Sequence, residues 1–137
     1  GMIAWNVDVL GKGTILTEEK ASNTANLDEA ITRINGLPEV AAQWVAANIG
    51  RFRLIDVREP HEIESHGKVA QSENIPMATF LEQAQSLDRD APLIIMCASG
   101  GRSGRVARTL ESAGFSAVAS LEGGMFGWKA TGLAAAS

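Results

Sequence analysis

Leu93-Ile94-Ile95-Met96-Cys97-Ala98-Ser99-Gly100-Gly101-Arg102-Ser103 is the stretch on which the reading of this chain turns. Its first four residues form a continuous apolar run, the pattern of a parallel strand covered on both faces. Two glycines interrupt the run, and Ser103 to Ala113 then places Val106, Ala107 and Leu110 at helical spacing, with Gly114 as the left-handed cap. Cys97 therefore falls at the carboxyl end of a strand, at a strand-loop-helix junction where ligands gather in open α/β sheets. The glycines let the backbone curl so that successive amides converge, and the helix start adds its positive end. Arg102 and Arg105 contribute formal charge. Free cysteine titrates near ~8.5, and thiols in such settings fall to about 3.5–7.5, so Cys97 is expected to be substantially ionised at neutral pH. A cysteine after an apolar strand is by default a small buried hydrophobe. The loop and the helix behind it shift that reading to a nucleophile.

Outward from this junction the chain alternates strands and helices. Arg53-Leu54-Ile55-Asp56-Val57 is a short buried strand closed by Arg58-Glu59-Pro60, where proline stops the ladder. Between Gly36 and Gly50, Pro38 suits a first helical position and Val40, Ala41, Trp44 and Val45 share a face, which predicts an amphipathic helix. Ile75-Pro76 marks a short edge strand, Met77 to Leu87 a helix, and Ala117 to Leu121 another strand. The turn Glu122-Gly123-Gly124 leads to a last helix around Phe126 to Ala130. This order predicts an α/β fold with a central, mostly parallel sheet flanked by helices. Residues 1–35 read as an N-terminal extension with one strand and one short helix, and residues 36–137 as the domain. Gly1 before Met2 has the form of a scar left by tag removal. Gly11-Lys12-Gly13-Thr14 lacks the upstream glycine and the Lys-Ser/Thr ending of a phosphate loop and reads as a turn.

Composition narrows the function. With 137 residues, 45% of them apolar, the chain has room for one domain with a real core. A net charge of −4 with Lys and Arg dispersed argues against nucleic acid as a partner. One cysteine excludes an internal disulfide, and with two histidines it cannot complete a structural zinc site. No apolar run approaches the ~20 residues of a membrane span, so a cytoplasmic location is expected and no membrane partner.

The loop Cys97-Ala98-Ser99-Gly100-Gly101-Arg102, followed by Ser103, resembles the active loop of the rhodanese family, Cys-x-x-Gly-x-Arg. Asp56-Val57-Arg58-Glu59-Pro60 looks like the family's first-strand signature, and Ala113-Gly114-Phe115 like the link after its active-site helix. Leu121-Glu122-Gly123-Gly124 with Trp128 looks like its C-terminal element. The likeness runs in order from about Gly36 to Leu133. It implies a single rhodanese domain and a sulfurtransferase. In this reading Cys97 takes a sulfane sulfur from thiosulfate or an organic persulfide, holds it as a persulfide, and passes it to a thiol or cyanide. The loop residues Ala98, Ser99, Gly100, Gly101, Arg102 and Ser103 would bind the anion, and no metal or organic cofactor is needed. Two stretches depart from the pattern. The family's Gly-His-Ile-Pro-Gly-Ala is here Gly67-Lys68-Val69-Ala70-Gln71-Ser72, and the second loop position, often Arg or Lys, is Ala98.

Arg58 is a candidate substrate contact, because its loop lies at the carboxyl edge of the sheet; the alternative is an ion pair with Glu59 or Glu62. Asp56 reads as structural, and His61 and His66 as solvated. Ser99 and Ser103 could donate hydroxyls to sulfur or cap the helix. Two other functions stay open. Cysteine-dependent phosphatases of the dual-specificity cell-cycle type use a similar loop that is one residue longer between cysteine and arginine. A non-catalytic or sulfur-carrier module serving a partner protein is the other.

Overall fold

The computed structural model describes residues 27–133. The expectations for residues before 27, including the turn at Gly11-Lys12-Gly13-Thr14, lie outside the described residues. The strands are β1 (Thr32–Ile34), β2 (Leu37–Val40), β3 (Arg53–Asp56), β4 (Glu73–Asn74), β5 (Leu93–Met96) and β6 (Val118–Leu121). The helices are α1, whose described part is residues 27–30, α2 (Ala42–Ala47), α3 (Pro60–His66), α4 (Met77–Ala84), α5 (Gly101–Ser112) and α6 (Gly124–Ala130).

The strands form one sheet in the order β1-β2-β6-β5-β3-β4. The β1–β2 pair is antiparallel and the other pairs are parallel. Side chains alternate between its two faces. Leu54, Ile94, Met96, Ala119 and Leu121 join Leu27, Val45, Met125 and Trp128 on one side. Ile55, Leu93, Ile95 and Val118 join Phe80, Val106, Ala107 and Leu110 on the other. This double burial explains why β5 is apolar at every position instead of every second one. Asp56 pairs with Met96 and Ile95 with Ser120, so β3, β5 and β6 end close to one edge. That edge carries Cys97.

The helix expected over 36–50 is instead a strand followed by a short helix. Asn35 (φ 54°) and Gly36 (φ 81°) form the two-residue turn of a β1–β2 hairpin, for which Asn-Gly is the favoured pair because both residues tolerate positive φ. Pro38 fits because it stands opposite Arg33 of β1, before the parallel pairing with β6 begins at Glu39. The boundary expected at residue 36 thus falls inside a hairpin, and Leu27 lies in the core.

A second difference is α3, which has no counterpart among the elements expected from sequence. Pro60 occupies its first turn, and Glu59 and Glu62 form a reciprocal capping box. The edge strand lies at Glu73–Asn74, just before Ile75-Pro76, although the Ile75 amide still reaches Asp56 O at 2.9 Å. No described helix is long and apolar enough to cross a membrane.

Candidate active site

Cys97 follows β5 directly, and its side chain is buried. The chain reverses at Gly100 (φ 104°), a left-handed position that β-carbon residues rarely adopt, and enters α5 at Gly101. This reversal aims donors back at the sulfur. Sγ accepts from the Gly100 amide at 3.1 Å, the Ser103 amide at 3.4 Å and the Ser103 hydroxyl at 3.4 Å. Burial pushes the thiol pKa up. Hydrogen bonds from the Ser103 hydroxyl and from the amides of Ser103, Gly100 and Ser99 outweigh it, so the Cys97 pKa lies below the ordinary thiol value. Three donors of the chain thus converge on the Cys97 sulfur.

The loop keeps its amides free for this because its carbonyls are held elsewhere. Cys97 O accepts from the Met125 amide at 2.8 Å and Ala98 O from the Phe126 amide at 3.0 Å, both in the first turn of α6. Gly124 makes this approach possible. Its φ is 58°, and a β-carbon there would stand 2.7 Å from the backbone C and O of Ala98 and closer still to Cys97 O.

Arg102 lies near the Cys97 sulfur and also ties a carboxylate. Its guanidinium forks onto the Glu62 carboxylate at 2.9 and 2.7 Å, joining the start of α5 to the start of α3. The Arg102 hydrogen bond is the main reason the Glu62 pKa is lowered to about 2; reciprocally, Glu62 raises that of Arg102, with the nearby Cys97 sulfur a smaller cause. Any stability from this pair is present above the ordinary carboxylate range and is lost as pH falls toward about 2. Arg102 is 38% exposed, so solvent screens the pair and holds its contribution to about 1 kcal/mol or less.

Arg58 corrects the expectation of a substrate contact and of a Glu59 or Glu62 partner. It is fully buried, pairs with the equally buried Asp56 at 2.7 Å, and donates to Gly67 O at 2.8 Å. With no exposed atom it cannot meet a substrate. An unpaired charge at that depth would be costly, so the two residues hold the end of β3 together. Asn74 completes the joint, donating to Asp56 O and Arg58 O at 3.0 and 2.9 Å. His61 and His66 are exposed, with the His66 ring edge-on to Phe126 at 5.5 Å.

The structure brings together Cys97, Ala98, Ser99, Gly100, Gly101, Arg102 and Ser103 as expected from their adjacency. It adds Glu62, Ser120 and Gly124. Ser120 Oγ lies 2.7 Å from Ser103 Oγ, and both residues are buried. A serine inside the apolar run Ala117-Val118-Ala119-Ser120-Leu121 is the signal that marks it in sequence, since a buried hydroxyl needs a partner. The capping-box spacing of Glu59 and Glu62 is the corresponding signal for α3.

Comparison with known proteins agrees with this arrangement. The family model described as Rhodanese-like domain matches residues 41–131. The chain is 35% identical over 82 residues to the uncharacterized protein YqhL of Bacillus subtilis, an alignment covering 60% of this chain and 64% of YqhL. It is 33% identical over 78 residues to thiosulfate sulfurtransferase GlpE of Stutzerimonas stutzeri, covering 57% of this chain and 71% of GlpE. The chain thus spans 64% and 71% of the lengths of these two relatives. Among solved structures, a rhodanese-related protein of Thermoplasma volcanium superposes with a TM-score of 0.62 at 32% identity, over 70% of this chain and 94% of that one.

Proposed function

The chain belongs to the rhodanese-like family, and from that premise we propose that it is a sulfurtransferase in which Cys97 carries a sulfane sulfur as a persulfide. The observation that carries this reading is the convergence of the Gly100 amide, the Ser103 amide and the Ser103 hydroxyl on Sγ of the single cysteine. The thiosulfate sulfurtransferase name of a relative supports the same chemistry.

In the first half-reaction the Cys97 thiolate attacks the sulfane sulfur of a donor. A bond forms between Sγ and that sulfur, the donor's sulfur–sulfur bond breaks, and its electron pair leaves with the donor thiolate, or with sulfite when the donor is thiosulfate. The terminal persulfide sulfur is then the anion that the loop amides stabilise. In the second half-reaction an acceptor thiolate or cyanide attacks that terminal sulfur and returns Cys97 as the thiolate. Hydrogen bonds from the loop favour the ionised sulfur, the form that attacks.

Three features favour an organic persulfide over thiosulfate as the donor. Ala98 brings no cation to the rim, the Arg102 charge is matched by Glu62, and Phe126, whose amide bonds Ala98 O, is a 48% exposed apolar residue that an organic group could meet. Thiosulfate is a dianion and depends more on positive charge near the thiolate. At an effective dielectric of about 20, unit charges ~6 Å apart interact by roughly 3 kcal/mol before screening, and salt reduces this to a fraction. Ala98→Arg is therefore expected to raise thiosulfate efficiency several-fold, with a strong ionic-strength dependence. Unchanged thiosulfate kinetics at low salt would remove Ala98 from donor choice.

The test of the function is incubation with thiosulfate, glutathione persulfide and mercaptopyruvate in turn, followed by intact-protein mass spectrometry. One added sulfur atom is expected with a competent donor and none after prior alkylation of Cys97, while aryl phosphate hydrolysis stays at background. Absence of sulfur uptake together with a phosphatase activity that alkylation removes would replace this reading with the phosphatase one.

A further inference from the structure

We propose that Ser120 is a positioning residue for Cys97: its buried hydroxyl donates to Ser103 Oγ and so directs the single Ser103 proton to the sulfur. The proposal rests on the sulfur-transfer reading of Cys97. Ser120 lies in β6, where every residue is buried, and strand alternation puts it on the face of Val118, which packs with Val106, Ala107 and Leu110 of α5. No solvent reaches its hydroxyl.

The direction of the hydrogen bond follows from the acceptors within reach. Each hydroxyl carries one proton and two lone pairs. Among the described residues, Ser120 Oγ has one partner, Ser103 Oγ at 2.7 Å. Ser103 Oγ has two others, Cys97 Sγ and Gly100 O, each at 3.4 Å. If Ser103 donated to Ser120, the Ser120 proton would be buried without an acceptor. If Ser120 donates, both protons are used. Gly100 O already receives the Gly104 amide at 2.9 Å, whereas the thiolate is charged and accepts more strongly, so the Ser103 proton goes to Sγ. The two hydroxyls form a chain, Ser120 to Ser103 to Cys97, in which each bond polarises the next.

Arg102 of α5 is charged and acts on Cys97, with Glu62 of α3 behind it, while the Asp56–Arg58 pair stands at the end of β3. β6 carries no ionisable side chain, and Lys129 of α6 is turned to His66 O. None of these groups contacts Ser120, so its substitution leaves their pairs in place.

The experiment measures iodoacetamide alkylation of Cys97 against pH in the full chain, for the wild type, Ser120→Ala, Ser103→Ala and the double variant. Ser120→Ala is expected to raise the apparent thiol pKa by about half a unit to one unit, a roughly three- to ten-fold slower alkylation below the wild-type pKa. The rate at high pH, where all thiols are ionised, stays at the wild-type value and reports an intact site. In the Ser103→Ala background the Ser120 substitution adds nothing, and Ser120→Thr, which keeps the hydroxyl, returns the profile toward wild type. A pKa that is unchanged or lowered in Ser120→Ala, or a shift that persists without Ser103, overturns the proposal. Alkylation needs no sulfur donor, so failure of the transfer reading, seen as a wild type that no donor loads, is recorded separately.

Discussion

Cys97→Ser is expected to keep the fold and to take up no sulfur from any donor. The fold survives because oxygen replaces sulfur at a buried position whose donors, the Gly100 amide and the Ser103 amide and hydroxyl, serve oxygen as well. The smaller atom leaves a slight gap in a packed cluster, a loss of about 1 kcal/mol. The chemistry does not survive. A serine hydroxyl is a weak nucleophile without an adjacent base, and both histidines are exposed and outside the donor set around residue 97. It also cannot form the sulfur–sulfur bond that stores the sulfane atom. Sulfur transfer should fall by at least about three orders of magnitude, equivalent to ~4 kcal/mol of barrier, while the melting temperature moves by no more than about 8 °C. Intact mass after donor treatment and a thermal melt read the two effects separately. A Ser variant that gains one sulfur atom as fast as wild type would remove Cys97 from the reaction.

The parts of the fold legible in sequence are those whose signal is local and unopposed. β5 has four apolar residues between Pro92 and Cys97, and no other element fits so short a run at the centre of a parallel sheet. α5 carries one clean apolar stripe ended by Gly114. The stretch 36–50 misleads because Val40 and Val45 do face the same core, but from a strand and a helix joined at Ala41, which a helical period imitates. The stronger cue there is Asn35-Gly36, a hairpin pair whose positive φ values no helix accommodates. Pro60 has two meanings as well. It ends the ladder after β3 and also opens α3, where Glu59 and Glu62 cap the helix.

Cys97 to Ser103 is legible as a site because these residues are consecutive. Glu62, Ser120 and Gly124 are brought in by strand order, with β3 and β6 flanking β5 so that the segments after them converge on one loop. Charge alone leads to the wrong partner for Arg58 and leaves the carboxylate that Arg102 ties unnamed. Arg58 turns inward to Asp56, two residues back on the same strand end, and Arg102 takes Glu62. The difference is depth: the Arg58 side chain is buried to its tip, where only a carboxylate already inside can match it, whereas Glu62 sits partly exposed at the helix start.

Gly124→Ala is expected to be the most damaging single-carbon addition near the site. Gly124 has φ 58°, a conformation that costs a β-carbon residue roughly 1–2 kcal/mol. The added carbon would also stand 2.7 Å from the backbone of Ala98, with Cys97 O closer still, and neither neighbour is a side chain that can swing away. To relieve the clash, α6 must withdraw from the loop, stretching the Met125–Cys97 and Phe126–Ala98 hydrogen bonds. Two such bonds contribute about 1 kcal/mol each, and overpacking in a close-packed interior costs a further 1–3 kcal/mol. The sum is about 4–7 kcal/mol against a typical stability of about 5–15 kcal/mol, a fall in melting temperature of more than about 10 °C. The carbonyls of Cys97 and Ala98 then lose the contacts that turn them away from the sulfur, so whatever folded protein remains should show a higher Cys97 pKa in its alkylation profile. Gly101→Ala is the matched control. A β-carbon at Gly101 meets nothing within 4 Å, and the residue is not among those with positive φ. That variant should melt within about 4 °C of wild type and keep its alkylation profile. If the two variants melt together, the packing of α6 against the loop does not hold the anion site in shape.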